Sequence, residues 1–111
     1  MIEFENLKNS NKPYIKDLEK AAIKVINSGW YILGNEVREF EAEFAKYLGV
    51  KYCVGVASGL DALILSIEAL SLPKNSDILV ASNTYIATIL AIIKAGHNPV
   101  LVEPDKKTFN I

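Results

Sequence analysis

The first part of the chain carries apolar side chains at the three- and four-residue spacing of an amphipathic helix. Pro13 stands where a helix can begin, and Gly29 stands where one can end. The pattern therefore predicts a helix over about residues 14–28, preceded by an irregular segment over residues 1–12. The apolar positions of this helix are Ile15, Leu18, Ala22, Val25 and Ile26.

A second apolar stripe follows a short loop that has glycine on both sides, residues 30–34. This stripe predicts a helix that begins at Glu36 and is closed by Gly49. Its apolar positions are Val37, Phe40, Phe44 and Leu48. The acidic side chains between them are typical of a solvated helix face.

From residue 52 onward the pattern changes to short apolar runs alternating with helical segments. The runs at 52–57, 78–81 and 99–103 are apolar on both faces, as in strands of a helix-covered parallel sheet. Helices are expected between them, over about 60–70 and 84–94. Strands joined by single helices are parallel with right-handed crossovers, so the sequence predicts a three-layer α/β fold with a mostly parallel sheet.

This organisation divides the chain into two predicted regions. Residues 1–51 form a helical lead-in, and residues 52–111 form the start of an α/β domain. No helix follows the third predicted strand to cover it. We therefore expect the sequence to end inside a larger domain.

Composition narrows the class of protein. Half of the residues are hydrophobic and the formal net charge is −1, which excludes a disordered chain. The basic residues are scattered and Arg38 is the only arginine, which argues against a nucleic-acid partner. No apolar run approaches the roughly 20 residues that a membrane span needs. The single cysteine, Cys53, and the absence of a signal-peptide pattern favour the cytoplasm.

Candidate chemistry lies where the predicted strands end. Ligands of open parallel sheets bind beyond the carboxyl ends of the strands. Three segments occupy those positions, 58–62, 82–85 and 103–105. If the strands are neighbours, all three segments face one crevice.

The first segment has two interpretations. Gly59 lets a ligand approach the backbone closely, and the N–H groups of a helix start can hold a phosphate. Alternatively, Ser58 and Asp61 satisfy those donors themselves as a capping pair. On these residues alone the capping interpretation is favoured, because such turns are common.

The second segment also has two interpretations. Tyr85 can lie over a planar ring bound in the crevice, with Asn83 and its neighbours donating hydrogen bonds. Alternatively, Ser82 or Asn83 caps the helix and Tyr85 packs into the core. The two are evenly balanced.

Other candidates carry less chemistry. Trp30 and Tyr31 either attach the lead-in helices to the main body or line a site or subunit contact. His97 is expected to be an inert surface residue in a loop, and Cys53 a buried small hydrophobe within a strand. No spacing of His, Cys, Asp and Glu indicates a metal site. No nucleophile or base is visible.

Several motifs in order resemble one family over the whole chain, about residues 2–111. The sequence is similar to the DegT/DnrJ/EryC1/StrS sugar aminotransferases, and Ser82-Asn-Thr-Tyr-Ile-Ala-Thr88 resembles the members that act on dTDP-linked 3-keto-6-deoxyhexoses. The other motifs are Gly29-Trp-Tyr-Ile-Leu-Gly34, the stripe from Val37 to Val50, Ala57-Ser-Gly-Leu-Asp-Ala-Leu63 and Pro99-Val-Leu-Val-Glu-Pro-Asp105.

The resemblance implies a fold and a set of site residues. It implies the large domain of the type I pyridoxal-phosphate enzymes, of which this chain is the N-terminal part, and a homodimer. By resemblance the amides of Gly59 and Leu60 hold the cofactor phosphate, and Tyr85 stacks on the pyridine ring. Many members have threonine at the position of Leu60, where the hydroxyl adds a hydrogen bond to the phosphate. The side chain of Leu60 cannot supply that bond. The resemblance makes Tyr31 a stronger candidate for a substrate-binding residue, and Asn83 is a second candidate.

The resemblance also implies an activity. It is transamination of a nucleotide-linked keto-sugar with glutamate, for polysaccharide or glycoconjugate biosynthesis. The family's Schiff-base lysine is expected beyond Ile111, so this chain alone contains no catalytic residue and is expected to be inactive. Two alternatives stay open. One is a dehydratase of the same family, and the other is a non-catalytic module that binds nucleotide-sugars.

Overall fold

The computed structural model describes residues 4–111, which fold as two compact units that meet in sequence between Gly55 and Val56. The first unit is helical, and the second combines helices with a parallel sheet. The elements are α1 (Leu7–Asn11), a 3₁₀ turn (Lys12–Tyr14), α2 (Ile15–Ser28), α3 (Asn35–Leu48), α4 (Gly59–Ala69), β1 (Asp77–Ala81), α5 (Ile86–Lys94) and β2 (Asn98–Val102).

The long helices of the first unit match the sequence pattern within a residue. α2 ends at Gly29 and α3 at Gly49, both in the left-handed conformation with φ of 67° and 69°. Glycine adopts this conformation without the steric cost of a side chain, which is why these stops were readable from the sequence. Lys24 on α2 pairs with Glu36 on α3, with Nζ and Oε1 3.2 Å apart.

The segment before Pro13 is more ordered than predicted. Residues 7–11 form α1, where an irregular segment was expected. The side chain of Asn6 accepts a hydrogen bond from the Asn9 amide at 3.0 Å, so a local cap satisfies a donor that is otherwise free at a helix start. Residues 1–3 of the predicted segment lie outside the described residues.

The second unit confirms the predicted α/β class. β1 and β2 pair in parallel, in register from Asp77 opposite Asn98 to Ala81 opposite Val102, with α5 between them in sequence. α5 contacts both strands and α4. Its Ala91 and Ile92 are buried and form the centre of this small core.

The predicted strand over residues 52–57 does not form among the described residues. The segment carries no strand pairing, and the side chains of Tyr52 and Val54 are exposed. The Gly55 amide donates instead to Oε1 of Glu41 on α3, at 2.7 Å. The correction extends to Cys53, which is half-buried in an unpaired segment. An apolar run favours a strand, but only a neighbouring backbone can supply the hydrogen bonds that define one.

His97 is buried, with 9% of its surface exposed, so the expectation of a surface histidine was wrong. Gly96, at φ 81°, reverses the chain, and the His97 amide donates back to the Ile92 carbonyl at 3.0 Å. That bond returns residue 97 to the end of α5. Nδ1 of His97 has no hydrogen-bond partner among the described residues.

Candidate functional site

One cavity of about 750 Å³ in the second unit brings together the start of α4 and the start of α5. The three residues predicted to hold a cofactor, Gly59, Leu60 and Tyr85, all line it. The lining also includes residues that sequence reasoning did not select. These are Ser58, Leu63, Ile86, Ala87, Thr88 and Leu90.

The first turn of α4 satisfies part of its own hydrogen-bonding need. Ser58 precedes the helix in an extended conformation. Its Oγ accepts from the Asp61 amide at 3.2 Å and donates to Asp61 Oδ2 at 2.8 Å. The capping interpretation of this segment therefore describes a contact that is present.

The cap leaves two other donors of the same turn available. The amides of Gly59 and Leu60 donate no hydrogen bond to any described residue. They are the first two residues of α4, where the helix dipole favours an anion. The capping and anion-binding interpretations thus use different donors and are compatible.

The surface above Gly59 is open. A Cβ atom built on Gly59 meets no heavy atom within 4 Å. Open space beside two unpaired amides fits a phosphate group, which needs close access to backbone donors. The residues present therefore fit the phosphate of a cofactor such as pyridoxal phosphate.

Tyr85 faces solvent at the edge of this cavity. Its side chain is 79% exposed, so the alternative in which it packs into the core was wrong. The expected helix start at Thr84 was also wrong, because α5 begins at Ile86 and Tyr85 is its N-cap residue. An exposed ring beside the cavity is available to stack on a planar ligand.

The turn before Tyr85 is hydrogen-bonded to β2, and neither Ser82 nor Asn83 caps α5, which begins at Ile86. The Ser82 amide donates to the Val102 carbonyl at 2.9 Å, and its Oγ donates to Glu103 Oε2 at 3.3 Å. This pairing extends the β1–β2 contact one residue beyond Ala81. Asn83 is exposed in the turn and does not line the cavity.

The third predicted segment forms its own turn. Asp105 Oδ1 accepts from the amides of Lys107 and Thr108, both at 2.9 Å. These backbone hydrogen bonds hold the pKa of the Asp105 carboxyl below its ordinary value. The bond from the Thr108 amide has the larger effect and that from Lys107 the smaller. Asp105 does not line the cavity.

Tyr31 belongs to the first unit, and its hydrogen bond is local. Its hydroxyl donates to the Ile26 carbonyl at 3.1 Å, while the ring remains largely exposed. Trp30 braces the same loop, donating from Nε1 to the Ile32 carbonyl at 2.8 Å. These bonds hold the loop together, and a role for Tyr31 in substrate binding stays a prediction.

Residues 4–111 contain neither a cluster of metal ligands nor a helix that could span a membrane. No three or more His, Cys, Asp and Glu side chains there are grouped so that they could hold a metal ion. None of the helices in that range is both long enough and apolar enough to cross a membrane.

Sequence comparison identifies the family. The model of the DegT/DnrJ/EryC1/StrS aminotransferase family matches residues 13–111. The chain belongs to this family. It is 54% identical over 111 residues to a dTDP-3-amino-3,6-dideoxy-alpha-D-galactopyranose transaminase from Aneurinibacillus thermoaerophilus, covering 100% of this chain and 31% of that protein.

Solved structures of aminotransferases share the fold of this family member. DesV from S. venezuelae, in complex with a ketimine intermediate, superposes with a TM-score of 0.86 at 40% identity, over 94% of this chain and 28% of DesV. NtdA from Bacillus subtilis, with bound cofactor PMP, superposes with a TM-score of 0.78 at 26% identity, over 85% of this chain and 22% of NtdA. The chain thus spans less than a third of the length of each of these relatives.

Proposed function

We propose that this chain is the N-terminal part of a pyridoxal-phosphate-dependent transaminase that aminates C3 of a dTDP-linked 3-keto-6-deoxyhexose. The observation that supports the proposal most is local. Two amides without an acceptor among the described residues, those of Gly59 and Leu60, line the same cavity as the exposed ring of Tyr85. The 54% identity to a transaminase named for a dTDP-linked aminodideoxy sugar supports the substrate class.

In this proposal the chain binds and orients the cofactor. The first-turn amides of α4 hold the phosphate, and the Ser58–Asp61 cap fixes the turn that presents them. Tyr85 stacks on the cofactor ring. Bound pyridoxal phosphate supplies the electron sink for moving an amino group, and the lysine that carries the cofactor lies outside this chain.

The remaining assignments follow from the same proposal. Residues 52–111 form the start of the cofactor-binding domain, and residues 1–51 form its helical lead-in. Glutamate donates the amino group, and the product enters polysaccharide or glycoconjugate biosynthesis in the cytoplasm. The full-length protein is a homodimer, and Tyr31 and Asn83 contribute to the substrate site.

The proposal is tested on the full-length protein. We expect purified protein to take up pyridoxal phosphate with a visible absorbance band that glutamate removes, and to form a 3-amino sugar from the dTDP-linked ketone. Failure to bind the cofactor contradicts the proposal. A bound cofactor with loss of water from the sugar, and no amine formed, indicates the dehydratase alternative. Binding of nucleotide-sugar without cofactor indicates the binding module.

Replacing Tyr85 by alanine in the full-length protein is expected to weaken cofactor binding by roughly 1–2 kcal/mol, the scale of an aromatic stacking contact. The exposed ring makes no hydrogen bond or ring contact with any described residue, so folding is expected to change little. Fluorescence titration with pyridoxal phosphate measures the effect. The matched control is Tyr14→Ala in the 3₁₀ turn, another exposed tyrosine, which does not line this cavity. Equal affinity of Tyr85→Ala and wild type returns Tyr85 to a role without a ligand.

A further inference from the structure

The start of α5 has no side-chain cap. Its N-cap residue is Tyr85, whose side chain accepts no hydrogen bond from the helix. The hydroxyl groups of Thr84 and Thr88 lie 2.9 Å apart instead, on either side of Tyr85 in sequence. A hydroxyl–hydroxyl bond therefore spans the residue that the proposed function places on the cofactor ring.

Thr88 also contacts the backbone of Tyr85 directly. The Thr88 amide donates to the Tyr85 carbonyl at 3.0 Å. Thr84 and Thr88 are both half-buried, so removing one hydroxyl leaves the other poorly solvated and unpaired. The pair thus favours one conformation of the Tyr85 backbone over others.

The Tyr85 ring depends on that backbone for its direction. Among the described residues the ring has no hydrogen bond and no aromatic partner, and most of its surface is exposed. Within the described residues, no polar or aromatic contact therefore fixes where the ring points, and its direction follows from the local backbone and the side-chain rotamer. A small rotation at residue 85 moves the ring tip by several times the displacement of the Cα atom.

We infer that the Thr84–Thr88 hydroxyl pair is a positioning device, which holds Tyr85 in the orientation that stacks on the cofactor ring. The inference rests on the proposed function and deepens it. Thr84 and Thr88 act through Tyr85 and are positioning residues. The pair contributes to cofactor affinity without either hydroxyl contacting the cofactor.

The competing explanation is that a threonine hydroxyl contacts the cofactor directly. Comparing Thr84 with Thr88 distinguishes this explanation from the positioning role. Thr88 is one of the residues that line the cavity, so a ligand bound there has direct access to this residue. Thr84 does not line the cavity. Under the positioning role, loss of either hydroxyl has the same effect, whereas direct contact makes Thr88 alone matter.

The test uses the full-length protein and pyridoxal phosphate as the probe. We expect Thr84→Val and Thr88→Val each to weaken cofactor binding about threefold to tenfold, the scale of one lost hydrogen bond. Thr84→Ser and Thr88→Ser keep the hydroxyl and are expected to restore most of the affinity. In a Tyr85→Ala background both valine variants are expected to cause no further loss. Fluorescence titration gives the dissociation constants, and the circular dichroism of the bound cofactor reports ring orientation.

The control is Ser66→Ala on α4, which removes an exposed hydroxyl that bonds only to the Ala62 carbonyl in the same unit. It is expected to leave cofactor affinity unchanged. A loss confined to Thr88→Val overturns the inference in favour of direct contact. A loss that persists in full when Tyr85 is alanine overturns it in favour of a general structural role.

The failures of the two proposals are distinguishable. If wild-type protein binds no pyridoxal phosphate, the proposed function fails and the inference fails with it. If wild-type protein binds the cofactor and transaminates, but both valine variants bind it as tightly, only the positioning inference fails.

Discussion

Replacing Gly59 by valine is expected to lower the affinity of the full-length protein for pyridoxal phosphate by about a hundredfold or more, because two hydrogen bonds to a charged group are lost together. Gly59 opens α4, and its amide and that of Leu60 have no acceptor among the described residues. A branched side chain at this position occupies the space through which a phosphate reaches those donors.

The same substitution is expected to leave folding almost unchanged. A Cβ atom at Gly59 meets nothing within 4 Å, and Gly59 is not among the glycines that have positive φ. Valine can therefore adopt the native backbone without a clash or left-handed strain. This separation of binding from folding makes Gly59 the sharpest test of the phosphate site.

Titration with pyridoxal phosphate and a thermal melt measure the two effects side by side. Gly59→Ala adds one carbon and is expected to cause a smaller loss of affinity. Ala69→Val places a branched side chain at the exposed last residue of α4, away from the cavity, and serves as the control. Wild-type affinity in Gly59→Val places the phosphate elsewhere.

Replacing Ile92 by alanine is expected to destabilise the protein by about 2–5 kcal/mol, the cost of removing a large side chain from a packed core. Ile92 is 2% exposed and lies beside Ala91, which is fully buried on α5. Among the described residues these two, with Val80 on β1, make up the buried apolar centre of the second unit.

The adjacent residue supplies a matched control. Ile93 has the same side chain on the same helix but is 53% exposed. Ile93→Ala is expected to cost about 1 kcal/mol or less. Urea unfolding followed by circular dichroism gives both free energies of unfolding. Equal losses from the two variants contradict the assignment of the core to the Ile92 face of α5.

The long helices α2 and α3 were predictable because their signals are local. Gly29 and Gly49 end α2 and α3 in the left-handed conformation that glycine favours, and each apolar stripe has the helical period. The parallel pairing of β1 and β2 was predictable too, because a single helix links two short apolar runs. In each case the information lies within one short stretch of sequence.

Two of the errors involve hydrogen-bond partners that are distant in sequence. The Gly55 amide bonds to the carboxylate of Glu41, 14 residues earlier, in a segment predicted to be a strand. The Ser82 hydroxyl, predicted as a possible cap of α5, donates instead to Oε2 of Glu103, 21 residues later. No window of local sequence contains both partners of either bond.

The candidate site was likewise predicted in part from the sequence and decided in part by the structure. The sequence selected Gly59, Leu60 and Tyr85 from strand-to-helix turns and a family resemblance, and these residues line one cavity. It left two alternatives open at each turn. The structure shows that the Ser58–Asp61 cap coexists with amides that have no acceptor among the described residues, and that Tyr85 is exposed. They also added Thr88 to the lining.

The sequence by itself determined the family, the helices α2 to α5 and the parallel pairing of β1 with β2. Helix-ending glycines, apolar periods and ordered motifs are properties of consecutive residues. They do not depend on how the rest of the chain packs. Only the tertiary structure decided which donors remain unpaired and which side chains are buried. A donor is unpaired or a ring exposed only relative to everything packed around it, and that depends on residues far apart in the chain.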